Sequence, residues 1–335
     1  MRVVAIASQN ERAALVQSAR LPWFDPRQIE DHGADEHLCA LGIDGGVRAH
    51  CSLWWRQTPR LPGHTTGAIG HYASADDEAA SALLDAAIAR LREHGCSVAI
   101  GPMDGNTWRR YRFVTGDGSV QPPEPAFFLE PVNPPQWPRQ FERAGFGKIA
   151  EYCSALNSDL ARPDERIEPV AARLECAAVR IHSAETADLA KLLTRIYQVS
   201  RFAFARSFLY TELPEEAFVA QYGGLMDRIR PELLFLAERD RELVGYLFAV
   251  PDFAQAARGS AIDTFLIKTV AILPRADLRG LGSLLVSRAQ QAGHRFGFRR
   301  CIHALMHEDN VSRRISGHYA ETMRQYTLYS REITV

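Results

Sequence analysis

The stretch from Thr264 to Ser283 holds the residues whose types and spacing speak most directly to chemistry. A run of strand length, Thr264 to Ile272, ends at Pro274. From Arg279 onward Leu281, Leu284, Leu285, Arg288, Ala289 and Ala292 recur at helical spacing, with glycines at 280 and 282 at the joint. A diphosphate needs several backbone N–H donors converging on it and gains from the positive end of a helix dipole. Glycine lets the backbone approach phosphate oxygens without a Cβ in the way, and Arg279 can add a charge-assisted hydrogen bond. The third position of a G-x-G-x-x-G pattern would fall on Leu285, so a Rossmann dinucleotide site is not expected. Groups able to carry protons stand at the ends of apolar runs: Glu238, Asp263, His307 and Glu308. His303 and His307 form an H-x-x-x-H pair, but on a strand they would project about 13 Å apart. The cysteines at 39, 51, 96, 153, 176 and 301 show no C-x-x-C spacing. No metal site is therefore expected, and the thiols are expected to be reduced in a cytoplasmic protein.

The elements that must position these groups divide into two sets. A chain of 335 residues with 46% hydrophobic content is enough for two ordinary cores. The charges, 39 basic against 40 acidic for a net of −1, provide no global field for a polyanion or an anionic membrane surface, so nucleic-acid binding is not expected. No run of about 18 uninterrupted apolar residues is present, so no membrane-spanning helix is expected. The opening Met1 to Ser8 is too short for a signal segment and reads as a first strand. A polar, proline-punctuated connector, Asn157 to Val170, places a boundary near 165, giving 1–164 and 165–335. Beyond it come a strand at 177–181, an amphipathic helix at 186–199, a hairpin of Leu233 to Glu238 with Leu243 to Val250, and the junction above. A strand at 300–306, a helix from Ser312 and a strand near 325–330 follow. This order is α/β with a mixed sheet.

The first half repeats the pattern. Gly67 to Tyr72 reads as a strand, Asp77 to His94 as an Ala/Leu-rich helix, and Ser97 to Ile100 as a strand leading to Asn106. The interval from Ile69 to Asn106 nearly equals that from Ile272 to Asn310, which reads as a duplication with almost no gap. In place of the glycines, however, the first copy has Asp76, Asp77 and Glu78. These residues cap a helix well and repel an anionic ligand.

Lys268-Thr269-Val270-Ala271-Ile272-Leu273-Pro274, followed by Arg279-Gly280-Leu281-Gly282-Ser283-Leu284-Leu285, resembles the acyl-CoA motif of the GNAT N-acetyltransferases. In the first half, Phe141 to Ile149, with Gly145-Phe146, is similar to that family's late helix, Gly-Phe and strand. Two departures are visible: Leu284 replaces the last small residue, and the loop from Pro274 to Arg279 is longer than usual. The resemblance implies two tandem GNAT-like domains, each a mixed, mostly antiparallel sheet flanked by helices. It implies acetyl-CoA bound along Val270, Ala271 and Ile272, with its diphosphate at Arg279, Gly280, Leu281, Gly282 and Ser283, and a degenerate first copy.

It further implies direct acyl transfer to an amine, small molecule or peptide, without a covalent enzyme intermediate. Asn310 would contact the cofactor arm or merely cap the next helix. Tyr319 is the candidate acid, with Glu238 and His307 the leading bases. Phe204, Arg206 and Tyr210, from the aromatic and basic segment Arg201 to Tyr210, would line the acceptor pocket with Asp263. The same segment would also suit single-stranded nucleic acid or an ordinary core element. Pro-rich Val120 to Pro138 is expected to be an extended loop over the surface or a clasp on the other half. Two other functions remain open: a non-catalytic acyl-CoA-binding protein, and a transferase using an aminoacyl-tRNA donor. Self-association as a homodimer is left open.

Overall fold

The computed structural model describes residues 1–6, 21, 27–184, 189–223 and 230–334. The expected continuation of the first strand through Ser8 and the start of the helix at 186 lie outside them. The first half comprises β1 (Arg2–Ala5), α1 (Arg27–Asp31), β2 (Glu36–Leu41), β3 (Val47–Trp54), β4 (Thr66–Ser74), α2 (Asp77–Glu93), β5 (Val98–Gly101), β6 (Phe113–Asp117), α3 (Gln136–Arg143) and β7 (Gly147–Asn157). The second comprises α4 (Ile167–Cys176), β8 (Arg180–Ser183), α5 (Leu189–Phe204), α6 (Glu215–Gly223), β9 (Leu234–Arg239), β10 (Glu242–Pro251) and α7 (Phe253–Ala257). It continues with β11 (Thr264–Ile272), α8 (Leu281–Arg295), β12 (Arg300–His307), α9 (Val311–Ser316) and β13 (Glu321–Glu332).

All the described strands belong to one sheet in the order β1-β2-β3-β4-β5-β13-β7-β12-β11-β10-β9-β8, with β6 against β13. Each half runs antiparallel through its first four strands and then makes one parallel pair: β4 with β5 from Thr66↔Val98, and β11 with β12 from Thr264↔Arg300. The final strands are exchanged. β7 pairs with β12 of the second half, β13 pairs with β5 of the first, and the two pair with each other at the centre. Between first parallel partners the interval is 32 residues in the first half and 36 in the second. The second copy thus has the longer connection, by four residues.

Local chemistry accounts for the elements around the site. Asp76 caps α2 by accepting the Ala79 N–H at 2.9 Å. Leu83, Leu84, Ile88 and Leu91 on that helix are buried, and each stabilises the fold by roughly 1.5–3 kcal/mol relative to an exposed side chain. The β9–β10 hairpin turns on Asp240 and Arg241, both at positive φ (50° and 67°), as a two-residue type I′ turn requires. The connector holds a helix that its prolines disguise: Pro169 sits in the first turn of α4, where a missing N–H costs nothing. The Pro-rich segment does clasp the other half. Phe127 is buried in the second half's core, the Phe128 N–H donates to Asp252 at 2.8 Å, Arg258 to the Ala126 carbonyl at 2.6 Å, and Arg300 to Glu124 at 2.8 Å.

Candidate active site

β11 and β12 stay paired only from Thr264↔Arg300 to Ile267↔His303. Beyond that β12 bulges at Leu305, which takes φ +58°, and β11 runs on to Ile272 beside β10 alone. A wedge opens between the two strands, and its mouth meets the start of α8. That helix is capped by Gly280 at φ +87° with no side-chain hydrogen bond. The first bond into it runs from the Leu284 N–H to the Gly280 carbonyl at 3.1 Å, so the N–H groups of Leu281, Gly282 and Ser283 are its orphan donors. Arg279 is exposed, and Gly282 and Ser283 are partly exposed.

Neighbouring helices crowd this turn. A Cβ on Gly280 would stand 2.8 Å from Val170 Cγ1 of α4, and one on Gly282 would stand 3.3 Å from Ile315 Cδ1 of α9. Arg173, also on α4, donates to the carbonyls of Asp277 and Arg279. The donor set suits an anion, while α4 roofs one side of it.

The matching place in the first half is filled. Met103 N–H donates to the Ile69 carbonyl at 2.8 Å, closing the parting of β4 and β5. A Cβ on Gly70 would strike the Met103 carbonyl oxygen at 2.2 Å. The helix start is occupied by carboxylates in ion pairs, Asp76 with Arg48 at 2.6 Å and Asp77 with Arg143. The Ala79 N–H and Arg48 hold the Asp76 carboxyl below its ordinary range.

On the opposite side of the wedge from α8, residues from both halves meet. Lys268 sits on β11 just past the last parallel pair; burial, then the nearby Arg112 charge, push its ammonium down to about 8. Arg112, buried and at φ +71°, donates to the Leu305 carbonyl at 3.2 Å and stacks 3.8 Å from the Tyr111 ring and 4.0 Å from that of Tyr152. Its Nε has no partner among the described residues. The His307 ring lies 4.9 Å from Tyr152 and 5.9 Å from Phe208, and Tyr210 lies 6.0 Å from Trp108. Beneath them Glu130 accepts from Tyr326 at 2.5 Å and Arg324 at 3.1 Å; burial raises its carboxyl.

The structure gathers some sequence-predicted residues and separates others. Val270, Ala271 and Ile272 line the β11 edge beside the wedge. Asn310 occupies the N-cap of α9 without capping through its side chain. Tyr319 packs near His303 and donates to Asp164; burial, then Asp164, raises its phenol well above the ordinary value. His303 and Met306 pair with Ala155 and Cys153, whereas His307 pairs with Tyr152, so Tyr319 and His307 stand on opposite faces of the sheet. His307 Nδ1 accepts the Asp309 N–H at 3.1 Å, and burial lowers its pKa. Phe204 is half-buried in the core, Arg206 exposed and Tyr210 at the cleft. Glu238 is held by Arg195 at 2.5 Å and by His182 at the β9 end.

Asp263 lies at the far end of β11, about 23 Å along the strand from Val270, bound to Gln255 at 2.7 Å and Thr264 at 2.8 Å. The wedge does not bring Glu238 or Asp263 to Val270. Sequence reasoning missed Lys268 and Arg112 as site residues. A lysine inside a strand that is otherwise apolar was the available signal for the first; nothing local marked the second.

The model of the Acetyltransferase (GNAT) family matches residues 193–314. No curated relative matches the sequence. Among solved structures, a GCN5-related glucosamine N-acetyltransferase region of a fungal multi-domain GH3 beta-N-acetylglucosaminidase aligns over 98% of this chain at 13% identity and TM-score 0.57; this chain spans 38% of that protein. A GCN5-related N-acetyltransferase from Sphaerobacter thermophilus aligns over 99% of this chain and 96% of its own length, at 13% identity and TM-score 0.53. A tandem GNAT protein from the clavulanic acid biosynthesis pathway aligns over 100% and 99%, at 14% identity and TM-score 0.52. At these identities the likeness is one of fold. Residues 193–314 thus match the model of the Acetyltransferase (GNAT) family, and the fold is similar to that of a tandem GNAT protein.

Proposed function

We propose that this chain is an N-acyltransferase that moves an acyl group, acetyl in the simplest case, from coenzyme A to an amine. The observation that carries this reading is the contrast between the two parted strand pairs. The wedge of the second half opens onto a helix start with uncapped N–H groups, while its counterpart in the first half is filled by Met103 and capped by Asp76. The donor substrate's diphosphate would lie on the Leu281, Gly282 and Ser283 N–H groups with Arg279 beside it, and its arm along Val270 to Ile272. The amine would enter from the opposite face, between Phe208, Tyr210, Trp108 and Tyr111.

In the direct reaction the neutral amine nitrogen attacks the thioester carbon, the carbon–sulfur bond breaks, and the thiolate leaves and is protonated. Lys268 is the group we assign to take the proton that the acceptor ammonium must lose before its nitrogen can attack, because burial beside Arg112 gives it an appreciable neutral fraction near pH 8. Tyr319 on the donor face can protonate the thiolate only after exchanging its bond to Asp164.

The test is Ser283→Glu. A carboxylate in the first turn favours the helix yet repels a diphosphate, reproducing the acidic helix start of the first half. Calorimetric titration with acetyl-CoA should show binding to the parent chain and none to the variant, whose unfolding midpoint is unchanged or higher. Equal binding by both would sink the assignment. Thiol release with a panel of amines, at a rate that depends on the amine, separates turnover from mere acyl-CoA binding.

A further inference from the structure

In the first half, where β4 and β5 part, three segments distant in sequence bring ligating atoms together. His32 follows α1, His71 lies on β4, and Asp104 follows β5. One ligand atom from each falls within 4.8 Å of the others. His32 Nδ1 and His71 Nε2 are 2.8 Å apart. Only one proton fits between them, so at least one nitrogen presents a lone pair to the other. Asp104 Oδ1 accepts the His71 N–H at 2.6 Å, while Oδ2 stands 3.8 Å from His71 Nε2. That is too far for a hydrogen bond. Two ligands at about 2.1 Å on a tetrahedral ion are separated by about 3.4 Å, and the observed spacings bracket that value.

The surroundings hold these groups as an outer shell would. Ser52 Oγ sits 2.9 Å from His71 Nδ1 and 2.8 Å from His37 Nδ1, which leaves Nε2 as the ligating nitrogen of His71. The backbone of His71 is in the left-handed region at φ +45°, a conformation that a non-glycine residue keeps only where its surroundings over-determine it. The His32 carbonyl is held by Trp54 at 2.9 Å and Arg109 at 2.5 Å. Arg109 and Arg110 are the cations whose charges reach the cluster, and the Arg109 guanidinium is committed to the carbonyls of Asp31, His32 and Asp104.

We infer that His32, His71 and Asp104 form a divalent-metal site of the zinc class, tying α1, β4 and the segment after β5 together where the second half keeps its wedge open. Two imidazoles and one carboxylate are a borderline donor set that suits zinc or cobalt and not calcium or magnesium. His32 would bind through Nδ1 as the Nε2–H tautomer, and the imidazoles would part by about 0.6 Å to admit the ion.

The test uses the full chain without an affinity tag, stripped by chelator and titrated with Zn²⁺, and with Co²⁺ as a spectroscopic probe. One equivalent should bind, with a visible cobalt absorption band and a raised unfolding midpoint. His32→Gln, at a half-buried position, should weaken binding by about a hundredfold or more, and Ser52→Ala by about 10–100-fold. Asp104→Asn, nearly isosteric, provides a second ligand variant should His32→Gln fail to fold. Cys176→Ser, at an exposed thiol, should change nothing. Failure of the folded, stripped chain to bind either ion, or undiminished binding by the folded ligand variants, would overturn the assignment.

Discussion

Gly280 can be present for a phosphate or for Val170, and substitution separates the two. In Gly280→Ala the new residue must hold φ +87°, which costs about 1–2 kcal/mol for an L-residue. Its Cβ would also stand 2.8 Å and 3.3 Å from the two γ-carbons of Val170, adding an overpacking cost of about 1–3 kcal/mol. The single variant should lose about 2–5 kcal/mol. Val170→Ala alone removes two half-buried methyl groups and should lose about 1 kcal/mol. The double variant has no γ-carbons left to strike, so only the backbone cost and the lost methyls remain. The coupling between the two sites should be about 1–3 kcal/mol in favour of the pair.

Urea unfolding followed by tryptophan fluorescence gives each value from the transition midpoint at constant slope. Additivity within about 0.5 kcal/mol would refute the packing argument, and an unchanged midpoint in Gly280→Ala would refute the backbone argument as well. Val170→Ala also trims the roof over the helix start, so its affinity for acetyl-CoA should equal or exceed that of the parent chain.

Lys268→Met should lower kcat by about 10²–10⁴-fold, the usual contribution of a positioned base, with a smaller change in KM. In the parent chain the rate should rise with pH to a plateau above about 8 as Lys268 loses its proton. A flat profile would remove Lys268 from the mechanism. His303 is buried against Gln290 at 3.0 Å, and burial pushes its pKa down to about 4. The unfolded chain binds a proton there below about 6.5, and the folded chain only near 4. Stability from this group is therefore complete above pH 6.5 and falls between those values by about 1.4 kcal/mol per pH unit. His303→Gln should flatten that part of the stability–pH curve by the same slope, measured by urea midpoints at pH 7, 6 and 5.

Much of the local structure was legible because neighbours in sequence determine it. Asp76 announces a helix start, Arg239 to Glu242 a tight hairpin, and the period of Leu281 to Ala292 the face that α8 buries. Pro169 concealed α4, since proline reads as a loop signal although the first helical turn tolerates it. The sheet's centre was illegible for a different reason: β7 and β13 are ordinary strands, and nothing in their own residues says which half each completes. The candidate metal cluster is similar, because its two histidines are 39 residues apart and Asp104 is 33 from His71. No short motif could display it. Lys268 and Arg112 become a site only when the two halves are laid edge to edge.

The exchange of β7 and β13 bears on how the chain must acquire its fold. Gly101 on β5 pairs with Tyr329 on β13, so the first half's sheet cannot close until more than two hundred further residues have been made. Pairings of such sequence separation are the slow ones. Until then β5 presents an unpaired edge, the kind of surface that recruits other chains. In return, each half retains the strand that completes the other, so the two copies cannot separate without both opening their sheets.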